Sequence, residues 1–132
     1  MTKRIAIILP FLWVGFLYFL STKTPEQLSS IPIPQSSSAH IPAYFVFGFF
    51  TILALELNTK SSFLKNAAIV LFVGLLAGSL DETIQFFTPG RTPTIYDVIR
   101  DVLGVFLSLV FYYYLNKFLK IKKFILSLKK PH

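Results

Sequence analysis

The 132-residue sequence contains no cysteine, which excludes disulfide bonds and thiolate metal sites. It has only two histidines, one of them the last residue, His132, so we predict no histidine-rich metal site, no bound metal and no cofactor. Charged residues are also scarce, at 14% of the chain against about a quarter in an average soluble domain. This shortage of charge argues against a soluble globular protein.

The chain is instead rich in apolar residues, with 54% hydrophobic and 17% aromatic side chains and a mean hydropathy of +0.64. A net charge of +7 would suggest a nucleic-acid partner in a soluble protein. Here the basic residues lie at the ends of apolar segments, so membrane topology explains them better. We therefore expect membrane lipids, and no nucleic acid, as partners.

Four apolar stretches are long enough to cross a bilayer, because a spanning helix needs roughly 17–25 residues. Backbone polar groups in lipid must be paired internally, so helices are expected. The sequence predicts a single all-α membrane domain, a bundle of four transmembrane helices over about 5–21, 40–57, 66–87 and 97–116. The first stretch could be a signal peptide, but no small-residue cleavage pattern follows Leu20, so we favour a retained helix.

The basic residues predict that both termini face the cytoplasm. Of the 13 lysines and arginines, ten fall on the side of the termini, and only Lys23, Arg91 and Arg100 fall on the other. The basic tail, 117–132, has spaced apolar residues, and two interpretations stay open: an amphipathic helix on an anionic membrane surface, or a solvated tail that sets topology. The proline- and serine-rich segment from Lys23 to Ser38 predicts an extended, solvated loop.

Polar residues gather at the predicted outer ends of three spans. Their helical spacing aligns them on one stripe per span. The stripe of the second span has His40 and Tyr44, that of the third has Gly74, Gly78, Asp81 and Gln85 with Glu82 at its margin, and that of the fourth has Asp97, Asp101, Gly104 and Ser108. Ionisable residues inside apolar helices are functional candidates, because each costs roughly a few kcal/mol to insert. We predict an outward-facing, ligand-binding polar pocket formed by His40, Tyr44, Glu82, Gln85, Arg91, Asp97 and Asp101.

A plainer interpretation explains the same residues without a site. In it, Asp97 caps the fourth helix, Asp81 lies at the membrane interface, and Arg91 pairs with a carboxylate to fix the bundle.

The motif that carries a family resemblance runs from Leu80 to Arg91 and continues with Asp97, Asp101 and Gly104. It resembles the VanZ-like family, whose pattern is DE-x-x-Q-x-x-x-P-G-R followed by D-x-x-x-[ND]-x-x-G. The segment His40-Ile41-Pro42-Ala43-Tyr44 is similar to the family's H-x-x-x-Y, and the resemblance covers about 21–114. One departure concerns Ser36 and Ser37, where the family often has an aspartate followed by a lysine. If that family lysine holds a ligand, this chain would bind the ligand differently.

The resemblance implies a multi-pass protein of the bacterial cytoplasmic membrane, in a family whose namesake is associated with low-level teicoplanin resistance. One hypothesis is an accessory protein whose pocket binds a lipid-linked envelope component or alters how a lipoglycopeptide reaches its target. The other is an enzyme acting on an envelope lipid or its head group. In that enzyme, Glu82 or His40 would be the general acid or base, Arg91 would hold a phosphate, and Asp97 with Asp101 a divalent cation. A transporter and a structural scaffold are weaker alternatives, and the sequence indicates no oligomeric state.

Overall fold

Helices make up almost all of the computed structural model, which describes residues 3–31 and 39–128. They are α1 (Lys3–Ser21), α2 (Pro25–Ser29), α3 (His40–Asn58), α4 (Phe63–Phe86) and α5 (Ile95–Leu128). All except α2 are long and apolar enough to cross a membrane. The predicted all-α class with four membrane-spanning helices is therefore confirmed, whereas the orientation of the termini stays a prediction.

The boundaries of the spans differ from the predicted ones by a few residues, except at the end of α5. Helix α4 begins early, at Phe63, because the Ser62 hydroxyl accepts a hydrogen bond from the Lys65 amide and so caps the helix. Helix α5 was expected to end near Asn116 but continues to Leu128. Lysine is a good helix former, so the basic tail does not interrupt the helix; residues 129–132 lie outside the described part of the chain.

The sequence predicts an extended loop between the first two spans. The structure differs, because this loop contains the short helix α2. The Thr24 hydroxyl accepts a hydrogen bond from the Gln27 amide, and the Gln27 side chain accepts one from the Thr24 amide at 3.1 Å. This is a capping box, and Pro25 at the first helical position already has the backbone angle of a helix. Leu28 is buried and anchors the turn. Residues 32–38, including Ser36 and Ser37, lie outside the described residues.

Small residues bring α5 close to both α3 and α4. A Cβ atom at Gly104 would collide with the backbone of α3 at Ile41 and Phe45. On α4, a Cβ at Gly74 would lie 2.8 Å from Val105, and one at Gly78 would lie 2.7 Å from Asp101. Lipid tails are as apolar as the helices, so close backbone packing of this kind, rather than apolar burial, holds spanning helices together.

Two long-range hydrogen bonds fix α1 to the other helices. The Trp13 indole donates to the Ala43 carbonyl on α3 at 2.8 Å, and the Tyr18 hydroxyl donates to the Ala77 carbonyl on α4 at 3.1 Å. Many large apolar side chains remain on the outside of the bundle, for example Phe11 and Phe72, where lipid would surround them.

The two ends of the bundle differ in their polar residues. At the end where α1 finishes and α3 begins, the polar end, lie Ser21, His40 and the connection from α4 to α5. At the opposite basic end, the buried Asn66 side chain donates to Glu56 at 2.7 Å. Glu56 therefore has a partner on the neighbouring helix, while most of the acidic residues are at the polar end.

Candidate functional site

Three helices contribute to a compact group of ionisable side chains at the polar end. His40 comes from α3, Asp81 and Glu82 from α4, and Asp101 from α5, and one ligand atom from each lies within 4.8 Å of the others. The three carboxylates are buried, Asp101 completely so. These four residues are called the carboxylate–histidine cluster below.

The innermost contact of the cluster joins α3 to α5. Nδ1 of His40 lies 2.9 Å from Oδ1 of Asp101, a hydrogen-bond distance. The other carboxylate oxygen, Oδ2, has no hydrogen-bond partner in the described ranges and lies against the bare backbone of Gly78, one helical turn before Asp81 and Glu82. Glycine at position 78 is thus what leaves room for Asp101 between the helices.

Asp81 connects the cluster to α1. Its carboxylate accepts hydrogen bonds from the Ser21 hydroxyl, at the end of α1, and from the Gln85 amide at 3.1 Å. Gln85 also donates to Glu82 at 3.3 Å, so one amide group bridges the two carboxylates of α4.

Glu82 is the member of the cluster that lines a cavity open to the surface. Its Oε2 accepts a hydrogen bond from the Thr94 amide at 2.8 Å, which ties the connection between α4 and α5 to the site. This cavity has a volume of about 400 Å³, and its other walls include Phe86, Ile95 and Val98. A ligand in this cavity would meet Glu82 before any other member of the cluster.

The Tyr44 hydroxyl adds a further polar atom near the cluster. Tyr44 is on α3, one turn after His40, and lies within range of the charges of Asp81 and Asp101. It is almost completely buried, yet its hydroxyl has no hydrogen-bond partner in the described part of the chain. An unsatisfied buried hydroxyl is unfavourable, so this atom is a candidate for contact with a bound water, ion or ligand.

The structure therefore brings together five of the seven residues predicted from the sequence, namely His40, Tyr44, Glu82, Gln85 and Asp101. Asp97 lies one turn further out, pairs with Arg100, and accepts a hydrogen bond from the Thr94 hydroxyl at 2.8 Å. Thr94 in turn accepts from the Asp97 amide, so Thr94, rather than Asp97, caps α5.

Within the described residues Arg91 contacts none of the carboxylates, although its charge lies within range of Asp81. Its Nη2 donates to the Leu20 carbonyl at 3.4 Å, and it makes no ion pair among the described residues, contrary to the plainer interpretation of the sequence. Its Nε is buried without a partner. The turn that carries Arg91 is held to α1 by Thr88, whose hydroxyl donates to the Ser21 carbonyl at 2.9 Å.

Two residues of the site were missed in the sequence. Asp81 was interpreted in part as an interfacial residue and left out of the predicted pocket, although it shares a helical stripe with Gly78 and Gln85, which was a usable signal. Ser21 gave no such signal, because its contact with Asp81 joins positions 60 residues apart.

The fold and the site together define a class: a multi-pass, all-helical membrane protein with buried carboxylates and a histidine between its helices at one end. Within that class, the chain belongs to the VanZ/LLP1 family, whose model matches residues 5–119. The match covers every residue of the carboxylate–histidine cluster and the VanZ-like motif noted in the sequence. No curated protein and no solved structure matches the chain.

Proposed function

We propose that this VanZ/LLP1 protein acts at the bacterial cell envelope, where its polar end binds the head group of an envelope lipid or a lipid-linked precursor. By occupying that component, the protein would lower susceptibility to lipoglycopeptide antibiotics such as teicoplanin. The observation that carries the proposal is the buried carboxylate–histidine cluster, together with atoms of Asp101 and the nearby Tyr44 that have no hydrogen-bond partner among the described residues.

The distribution of basic residues supports an outward-facing polar end in the plasma membrane. Among the described residues, the basic end carries Lys3, Arg4, Lys60, Lys65, Lys117, Lys120 and Lys122. The polar end has only Lys23, Arg91 and Arg100. Lysine and arginine concentrate on the cytoplasmic side of bacterial membrane proteins, so we assign the basic end to the cytoplasm.

The energetic argument for a ligand rests on what these side chains would do without one. A carboxylate at mid-membrane costs roughly 2.5–3.5 kcal/mol to insert, and less near the interface, so it is kept where it has a partner or a role. Asp97 has Arg100 as a partner, and Glu56 has Asn66. Within the described residues, the hydrogen-bond partners of Asp81, Glu82 and Asp101 are His40, Ser21, Gln85 and one backbone amide, none of them a lysine or arginine.

A groove between α1, α3 and α4 offers room for an acyl chain beside this head-group site. It has a volume of about 500 Å³ and an almost entirely apolar lining, which includes Phe11, Val14 and Leu76. Tyr18 and Leu80 also line the groove; Tyr18 is one turn before Ser21 and Leu80 directly precedes Asp81, so the groove extends toward the polar end. A ligand with both a polar head and an apolar tail fits this arrangement.

The test of this function is antibiotic tolerance in a teicoplanin-susceptible Gram-positive host. Expression of the wild-type chain should raise the minimum inhibitory concentration of teicoplanin, and Glu82→Gln or His40→Asn should return it to the level of the empty vector. Glu56→Gln is the matched control, because it removes a carboxylate that lies at the basic end. Equal amounts of each protein in the membrane are verified by immunoblot.

Wild-type expression without any change in tolerance would contradict the role in resistance. Equal teicoplanin tolerance for the wild type, Glu82→Gln and His40→Asn would show that the cluster is not needed for resistance.

A second candidate function, an enzyme that modifies an envelope lipid or its head group, is favoured by the contact between His40 and Asp101. A carboxylate 2.9 Å from an imidazole nitrogen fixes the ring, as is common where histidine acts as a general acid or base. Glu82 at the cavity is the other candidate for proton transfer. Mass spectrometry of total lipids from cells with the wild type, His40→Asn and no protein should then reveal a species that depends on His40; identical lipid profiles would contradict catalysis.

A further inference from the structure

We propose that the carboxylate–histidine cluster binds one divalent transition-metal cation, of the Mn²⁺ or Zn²⁺ type. The site would use a nitrogen of His40 and one carboxylate oxygen each from Asp81, Glu82 and Asp101. This inference goes beyond the proposed function, because metal binding neither requires nor implies a role in antibiotic tolerance.

The spacing of the ligand atoms is close to that of a metal site. All four atoms lie within 4.8 Å of one another. Two ligands on opposite sides of one ion at ~2.1 Å each are ~4.2 Å apart, so small side-chain rotations would complete the coordination. One imidazole with three carboxylates is a mixed nitrogen and oxygen set, which suits Mn²⁺ and Zn²⁺ better than the all-oxygen preference of Ca²⁺ or Mg²⁺.

The charge of the site also favours a cation. Three carboxylates share one buried volume, and none of them forms an ion pair with a lysine or arginine within the described ranges. The two arginines nearest in sequence are engaged elsewhere, Arg100 with Asp97 and Arg91 with the Leu20 carbonyl. A divalent ion would place positive charge in contact with all three carboxylates, whereas His40 pairs with Asp101 and Arg91 acts on Asp81 from a distance.

Two buried polar atoms have no hydrogen-bond partner among the described residues. This observation is separate from the closeness of the three carboxylates to one another. Oδ2 of Asp101 belongs to a completely buried side chain and lies against Gly78, on the α4 face that carries Asp81 and Glu82. The Tyr44 hydroxyl is buried, has no hydrogen-bond partner among the described residues, and lies within range of the charges of Asp81 and Asp101. Buried polar atoms are rarely left unsatisfied, and a metal ion with a bound water would satisfy both.

The contact between His40 and Asp101 fits such a site as well. With Nδ1 as the metal-binding nitrogen, its distance of 2.9 Å from Oδ1 of Asp101 is close to the ~3.0 Å between two ligands at right angles around one ion at ~2.1 Å each. The ion would then replace the proton that these two atoms share.

The competing explanation is that the carboxylates share protons instead of a metal, since neighbouring buried carboxyl groups cannot all ionise without help. The two explanations differ in a direct measurement. The full chain is purified in detergent, stripped with EDTA, and equilibrated with Mn²⁺, and bound metal is counted by elemental mass spectrometry. We expect one Mn²⁺ per chain, displaced by Zn²⁺ but not by a tenfold excess of Mg²⁺.

The variants identify the ligands. Asp81→Asn and Asp101→Asn should each weaken Mn²⁺ binding by about tenfold or more, as losses near a metal commonly do. Glu56→Gln should bind as the wild type does. Should Asp101→Asn fail to fold, as judged by the fluorescence of the single tryptophan, Trp13, the partly exposed His40→Gln replaces it.

Two results would overturn the proposal. One is a wild-type chain that binds well below one equivalent of Mn²⁺ and of Zn²⁺, which would favour shared protons. The other is binding that Asp81→Asn and His40→Gln leave unchanged, which would move the metal to another part of the protein.

Discussion

Gly90 is the one described residue in the left-handed backbone conformation, which glycine adopts freely and which strains other residues. Its φ is +77°, in the turn that carries Arg91 and follows α4. The turn is tied to the end of α1 by Thr88, and so it holds Ser21 near Asp81. The conformation of a single glycine thus helps to keep α1 attached to the carboxylate–histidine cluster.

Replacing Gly90 with alanine should therefore destabilise the polar end. The left-handed conformation costs an L-residue about 1–2 kcal/mol, and the new Cβ would lie 3.3 Å from Pro25. We expect Gly90→Ala to lower the free energy of unfolding by about 1–2 kcal/mol, measured by SDS titration with Trp13 fluorescence.

Gly15→Ala is the matched control, because nothing lies within 4 Å of a Cβ there and alanine favours a helix. Gly15→Ala should be as stable as the wild type or slightly more so. Equal stability of Gly90→Ala and the wild type would mean that the turn relaxes freely and does not hold α1.

Part of the site could be predicted from single residues, and part could not. Helical periodicity placed His40 with Tyr44 and Asp101 with Gly104 on common faces, and the structure has them on the inner side of α3 and α5. Periodicity describes one helix at a time, so it could not reveal the contact of Ser21 with Asp81 or the separation of Arg91 from the carboxylates. These depend on how the helices pack and how the loops turn.

At the scale of the elements, α3 and α5 pack closely because each carries a glycine that faces the other helix. Gly48 on α3 faces Val105 and Ser108, and Gly104 on α5 faces main-chain atoms of Ile41 and Phe45. Main-chain atoms of a helix cannot rotate away as a side chain can. The distance between these helices also decides whether His40 on α3 can reach Asp101 on α5.

Gly104→Ala should therefore push α3 and α5 apart. Overpacking of this kind typically costs about 1–3 kcal/mol, and we expect a loss of that size in the SDS titration, again against Gly15→Ala. Mn²⁺ binding should weaken as well, since His40 and Asp101 would separate. Unchanged stability together with unchanged metal binding would contradict the assigned closeness of the two helices.

The elements themselves were largely predictable, and the exceptions have local causes. Long apolar stretches identify spanning helices because the bilayer demands their length and their internal hydrogen bonding. The short helix α2 was missed because the prolines and serines of its segment suggested a loop, although Thr24 and Gln27 form a capping box visible in the sequence. The helix that continues from Asn116 to Leu128 agrees with one of the two interpretations of the basic tail, whereas the location of this helix on a membrane surface stays a prediction.

At the scale of the whole molecule, the direction in which the polar end faces decides which ligands can reach it. A site on the outer face meets envelope precursors and antibiotics, whereas one on the inner face meets cytosolic ions and metabolites. The excess of lysine and arginine at the basic end predicts the outer face. The contacts within the cluster are the same in either orientation, so they do not reveal the topology. The topology therefore needs a separate measurement.

The absence of cysteine makes this measurement clean, because single cysteines can be introduced without background. Thr92, in the connection from α4 to α5, and Thr59, in the connection from α3 to α4, are both exposed and lie at opposite ends. With the polar end outside, a membrane-impermeant thiol reagent should label Thr92→Cys in intact cells and Thr59→Cys only after permeabilisation. Ser29→Cys, at the end of α2, should behave as Thr92→Cys does.

Labelling of Thr59→Cys but not Thr92→Cys in intact cells would show that the polar end faces the cytoplasm. That result would contradict the proposal of an envelope ligand. Metal binding by the carboxylate–histidine cluster would survive that outcome, since its ligand atoms are held by the helices and not by the choice of membrane face. Labelling of Thr92→Cys alone would leave the cluster accessible from the side where lipid-linked precursors and teicoplanin are found. The tolerance assay with Glu82→Gln and His40→Asn then becomes the decisive experiment on function.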